Sequence, residues 1–128
     1  MAAKRESTPK PLLWTGSTKD DIGMFPGAAR REVGYALYLA QIGMKAVNAK
    51  PLKGFGGAGV LEVIARHGGQ TYRAAYTVKF AEAVFVLHAF VKRSKKGIAT
   101  PRADIELIKR RLRTAAEQYQ LLYGGKES

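Results

Sequence analysis

Residues 53–63 read KGFGGAGVLEV, and within them Gly54-Phe55-Gly56-Gly57-Ala58-Gly59 is a literal G-x-G-x-x-G. A dinucleotide site of that pattern needs a strand running into the glycines and a helix starting on them, so that the first helical amides face phosphate. Here a helical stripe and a loop precede the glycines, and a strand-like run, Val60-Leu61-Glu62-Val63, follows them. No G-K-[ST] ending makes a phosphate loop either. The glycines therefore read as a flexible lead-in to a strand, or as a loop whose backbone passes close to something. The stretch marks a change from helix to sheet and excludes a doubly wound nucleotide fold.

Upstream, Pro11-Leu12-Leu13-Trp14 reads as a first strand, and Ser17 as the cap of a short helix that Phe25-Pro26-Gly27 breaks. A longer helix is predicted from Pro26 to Met44, because Val33, Ala36, Leu37, Ala40 and Met44 recur at three- and four-residue spacing. Asn48 to Gly59 reads as a loop. Downstream come strands at 59–66, 71–80 and 81–92, the first two joined by the turn His67-Gly68-Gly69-Gln70. Thr100-Pro101 opens a last helix with Thr100 as its cap. Its stripe is Ile105, Ile108, Leu112, Ala115 or Ala116, Tyr119 and Leu122, and Gly124-Gly125 ends it. The fold class is α+β: a small antiparallel sheet packed against an N-terminal helical hairpin and a C-terminal helix, ordered β-α-α-β-β-β-α.

A chain of 128 residues, 46% hydrophobic, suffices for one core. The organisation expected is a polar arm at 1–10, a single domain at 11–123 and a polar tail at 124–128. With no cysteine, disulfides, thiolate zinc sites and cysteine nucleophiles are excluded. Two histidines without ligand spacing make no metal site, and neither a Ser-His-Asp set nor paired carboxylates is legible. The longest apolar run, 81–91, is too short for a membrane span, and the N-terminus lacks a secretion signal. A cytoplasmic protein is expected.

Charge is the strongest global signal, at +12. Between Thr71 and Thr114, eleven basic side chains face only Glu82, Asp104 and Glu106, so polyanion affinity concentrates in the second half. Strict alternation sets Val84, Val86, His88, Phe90 and Lys92 on one strand face. Arg73 lies between Tyr72 and Ala74 on the neighbouring strand. Guanidinium, ammonium and aromatic groups together suit single-stranded RNA, cations holding phosphates while rings stack on bases. The same residues have plainer readings: Tyr72, Tyr76 and Phe90 as core, His88 as a hydrogen-bonded structural residue, and 92–96 as a solvated turn. From the residues alone the reading is a small basic α+β domain that binds nucleic acid.

Taken in order, Trp14-Thr15-Gly16-Ser17, Phe25-Pro26, Gly34-Tyr35-Ala36-Leu37, Lys50-Pro51-Leu52-Lys53, Gly59-Val60-Leu61-Glu62, Tyr72-Arg73, Val86-Leu87-His88-Ala89-Phe90 and Thr100-Pro101 resemble a known family. They look like the phage-derived Gp49-like branch of the RelE/ParE toxin superfamily, which includes the HigB toxins. The resemblance implies the toxin of a type II toxin–antitoxin system, with a small helix-turn-helix antitoxin as partner. The usual activity of such toxins is cleavage of mRNA on the ribosome, using no metal and no small-molecule cofactor. The ribose 2′-hydroxyl attacks the adjacent phosphorus.

Carried onto this chain, the resemblance implies that Arg73 holds the scissile phosphate, that Lys92 and Arg93 stabilise the transition state, and that His88 is an alternative base. Lys53, Arg66, Tyr72, Phe90, Lys95 and Lys96 would contact RNA. Ile64 stands where many relatives carry a basic residue, a role that Arg66 or Lys53 would take over. A toxin of this fold acting on another target such as DNA gyrase, and a non-toxic nucleic-acid-binding domain, are the alternative readings.

Overall fold

The computed structural model describes residues 8–57, 59–93 and 99–124. Its elements are β1 (Leu12–Trp14), α1 (Thr18–Gly23), α2 (Gly27–Gln41), β2 (Ala49–Pro51), β3 (Val60–His67), β4 (Gln70–Thr77), β5 (Val84–Arg93) and α3 (Arg102–Tyr123). They form one five-stranded sheet in the order β1-β5-β4-β3-β2. The α+β class stands. The sheet is mixed rather than wholly antiparallel, because β1 pairs with β5 in parallel, while the other pairings are antiparallel.

The sheet is covered on both faces. On one lie α1, α2 and the turn between them, whose Ile22, Phe25, Ala29, Val33, Ala36, Leu37 and Ala40 pack on Leu61, Val63, Ala65, Tyr72, Ala74, Tyr76, Val84 and Val86. On the other lies α3, whose Ile108, Ala115 and Tyr119 meet Val60, Ala75, Phe85 and Leu87. Each large apolar side chain removed from water on these faces contributes about 1.5–3 kcal/mol. The predicted stripe of α2 is buried except for Met44, which lies beyond the helix end and is 60% exposed. Neither hydroxyl expected to cap a helix does so: Ser17 bonds Asp21, and Thr100 turns to Glu62.

A bulge in β5 decides which side chains stand together. Tyr76 is registered with Val86, but Ala75 is registered with His88, so Leu87 is an extra residue. Before it, Val84 and Val86 face the α1–α2 hairpin; after it, His88, Phe90 and Lys92 face α3. Strict alternation had set all five on one face, and the inserted residue reverses the phase between them. Side chains from outside the strand hold the carbonyls at the irregularity. Thr15 Oγ1 donates to Val86 O and Leu87 O at 2.9 and 3.3 Å, and Arg111 Nη1 donates to Leu87 O at 3.1 Å.

Gly16 makes that arrangement possible. Its φ is +55°, and a Cβ built there would lie 2.6 Å from the Arg111 guanidinium. Gly16→Ala is expected to lower stability by roughly 1–3 kcal/mol, through left-handed strain and displacement of Arg111. The urea midpoint measures it, and a midpoint equal to that of the parent chain contradicts this account of the bulge.

Candidate functional site

Beneath the start of α3, strand pairing sets the side chains of that sheet face in rows, and most of them are buried or half-buried. Lys50, Glu62, Ala75 and His88 form one row across β2, β3, β4 and β5. Ile64, Arg73 and Phe90 form the next, and Arg66, Thr71 and Lys92 the third. Neighbouring strands lie roughly 4.8 Å apart. Three short rows therefore gather carboxylate, imidazole, guanidinium and ammonium groups within a small patch.

Beside β2 and β3 the patch deepens into a cleft of about 680 Å³, lined by Lys50, Pro51, Leu52, Lys53, Glu62, Ile64, Arg66, Ala99, Thr100 and Ile105. Glu62 is the acidic group in this lining and is 5% exposed. Arg73 Nη1 lies 3.3 Å from Glu62 Oε1, with side-chain exposures of 1% and 6% respectively. Thr100 Oγ1 shares its proton between Glu62 Oε1 and Oε2, at 3.0 and 3.1 Å, and Arg73 Nε donates to Thr71 Oγ1 at 3.3 Å. Burial pushes the Glu62 carboxyl above its ordinary value of 4.5, outweighing the opposing pull of Arg73 and Thr100.

A second pair closes the far side of the row. His88 Nε2 is 2.7 Å from Asp104 Oδ1 on α3, and the ring lies against Phe90 with centroids 4.8 Å apart. His88 Nδ1 is buried and has no hydrogen-bond partner among the described residues. Glu62 and His88 stand two strand spacings apart, roughly 10 Å at the backbone, on one face.

The residues singled out from the sequence divide accordingly. Arg66, Arg73, His88, Phe90 and Lys92 share this face, and Lys53 lines the cleft. Arg93 does not join them: it is registered with Gln70, one residue out of phase with Lys92, and stands on the hairpin face. Tyr72 is likewise on that face, 7% exposed, with its ring 5.2 Å from that of Phe25. Its core reading holds, and no ring face is left for a base. Arg73 itself is sequestered behind Glu62. Lys95 and Lys96 lie outside the described residues.

Sequence reading passed over Lys50, Glu62, Thr100 and Asp104 as site residues. Glu62 carried one usable signal, an acid within an otherwise apolar run of β3. Among the described residues no group of three or more His, Asp or Glu side chains is arranged to hold a metal ion, and no helix is long and apolar enough to cross a membrane.

The family of phage-derived Gp49-like proteins matches residues 20–113, from within α1 to the middle of α3. The chain belongs to that family. Membership carries a toxin–antitoxin setting with an antitoxin as partner. No curated protein and no solved structure matches the chain.

The raised Glu62 carboxyl makes stability depend on pH with a defined sign. A carboxyl that holds its proton more tightly when folded contributes stability below its unfolded value of 4.5, and loses it as pH rises through the folded value. Urea midpoints of the parent chain and of Glu62→Gln, compared upward from pH 4.5, are expected to differ in slope, with the parent losing more. Parallel slopes contradict the assignment.

Proposed function

We propose that the chain is a type II toxin acting in the cytoplasm as a ribosome-dependent mRNA endoribonuclease, neutralised by a helix-turn-helix antitoxin. The observation that carries this reading is a single face bearing a buried carboxyl and a His–Asp pair two strands apart in one row, with cations around them. Glu62 accepts the proton of the ribose 2′-hydroxyl as its oxygen attacks phosphorus. His88, oriented by Asp104, gives a proton to the 5′-oxygen as the phosphorus–oxygen bond breaks. The products are a 2′,3′-cyclic phosphate and a 5′-hydroxyl, with atoms and charge balanced and Glu62 and His88 exchanging protonation states.

Cations serve the extra negative charge on the phosphorane. Lys53 and Arg66 flank Glu62 in the cleft, and Lys92 follows His88 by two rows on β5. Arg73 is a positioning residue in this scheme, holding Glu62 rather than the phosphate. The phosphate contact then falls to Arg66 and Lys53, which also stand in for the cation absent at Ile64. Phe90, half-buried over His88, offers a ring to a neighbouring base.

The sequestration of Arg73 and the apolar Ile64 favour one rival, a toxin of this fold that binds its target without cutting RNA. Primer extension on cellular mRNA after induction separates the two. Codon-phased 5′ ends that persist in EDTA are expected for the parent chain, and Glu62→Gln, folded by circular dichroism, is expected to reduce them by about 10²–10⁴-fold. Growth arrest without new 5′ ends supports the rival. Undiminished cutting by Glu62→Gln removes Glu62 from the mechanism.

A further inference from the structure

On the hairpin face, across the sheet from the cleft, a second pocket of about 350 Å³ opens where the end of α2 meets β3 and β4. Ala40, Met44, Leu61 and Val78 make it apolar, and Lys10 and Lys45 bring positive charge. Tyr76 also lines it. Its side chain is 1% exposed, and its hydroxyl has no hydrogen-bond partner among the described residues. A buried hydroxyl without an acceptor is costly to keep, and most such groups in folded chains are paired. Burial also pushes the phenol up to about 12, so it remains a donor throughout the physiological range.

The surroundings point outward as well. Met44 is 60% exposed and Val78 39%, and Val47 in the loop after Met44 is 97% exposed. Exposed apolar side chains rimmed by polar groups mark a protein-docking surface, and here the rim carries lysines. Lys45 spends one proton on Ala49 O at 3.0 Å and keeps two others for a partner. With a net charge of +12 on the chain, the complementary partner is acidic.

We propose that this pocket is the docking point of an acidic protein partner, which inserts one apolar side chain and sets a carbonyl or carboxylate oxygen against Tyr76 Oη. Lys10 and Lys45 meet the acidic residues flanking that anchor. A partner seated there leaves the Glu62 cleft uncovered, since the sheet lies between them. Equating this partner with the antitoxin rests on the toxin–antitoxin reading; the chemistry of the pocket does not.

The test uses the full chain and the protein encoded by the adjoining open reading frame, with affinity measured by calorimetry. Met44→Glu, an exposed rim change, is expected to weaken binding at least tenfold. Tyr76→Phe is expected to weaken it about threefold to tenfold while leaving the melting temperature of the free chain equal or higher, because it removes an unpaired hydroxyl. A merely structural Tyr76 would lower both together. If both variants bind as tightly as the parent chain, the pocket is not the docking point, although the toxin–antitoxin reading survives. If the parent chain itself does not bind the neighbouring protein, the toxin–antitoxin reading fails and that protein is not the occupant of the pocket.

Discussion

One inserted residue in β5 sets the chemistry of the sheet. Leu87 breaks the two-residue period, so the strand first serves the hairpin core and then turns His88, Phe90 and Lys92 toward α3. With regular pairing, those three would stand beside Tyr72 and Ala74 under the helical hairpin. Glu62, Arg66 and Arg73 would then keep the cleft face without an imidazole or a β5 cation beside them. The irregularity is held by contacts distant in sequence: Thr15, after β1, and Arg111, on α3, both bond the carbonyls around it. The parallel β1 strand is thereby tied to the site as well as to the core.

The Glu62–Arg73 pair is expensive by ordinary standards of folding. Taking two charges out of water costs several kcal/mol for each ion, and an apolar pair of similar volume is often no less stable. Thr71 and Thr100 recover part of that cost by hydrogen bonding both partners. A carboxyl with elevated proton affinity beside cations in a cleft is the kind of group that acid–base chemistry uses, and it draws attention to this cleft. Tyr76 breaks the same rule on the other face, with an unpaired hydroxyl in place of a charge. Both departures from good core practice line pockets, one on each side of the sheet.

Periodicity made the architecture readable. The α2 stripe, the Gly68-Gly69 turn and the apolar β5 each carry a local signal, and the glycine stretch at 54–59 led into β3 as its order implied. The short β2 had no such signal, since three residues ending in Pro51 have no period to detect. The bulge was invisible for a different reason. Nothing in Val86-Leu87-His88 announces an extra residue, because its cause lies in Thr15 and Arg111. Half of the candidate site was legible as a set of cations and rings on β4 and β5. Glu62, Thr100 and Asp104 were not, because their roles arise only when β3 and the start of α3 are brought against that surface.

The phase of β5 is therefore the claim to test first, and nuclear Overhauser contacts in the uniformly labelled chain read it directly. Cross-strand contacts linking Ala75 to His88 and Tyr76 to Val86, with Leu87 unpaired and the His88 ring close to Phe90, are the expected pattern. A continuous ladder linking Ala75 to Leu87, with the His88 ring among the hairpin side chains, would dissolve the row that joins Glu62 to His88 and contradict the account.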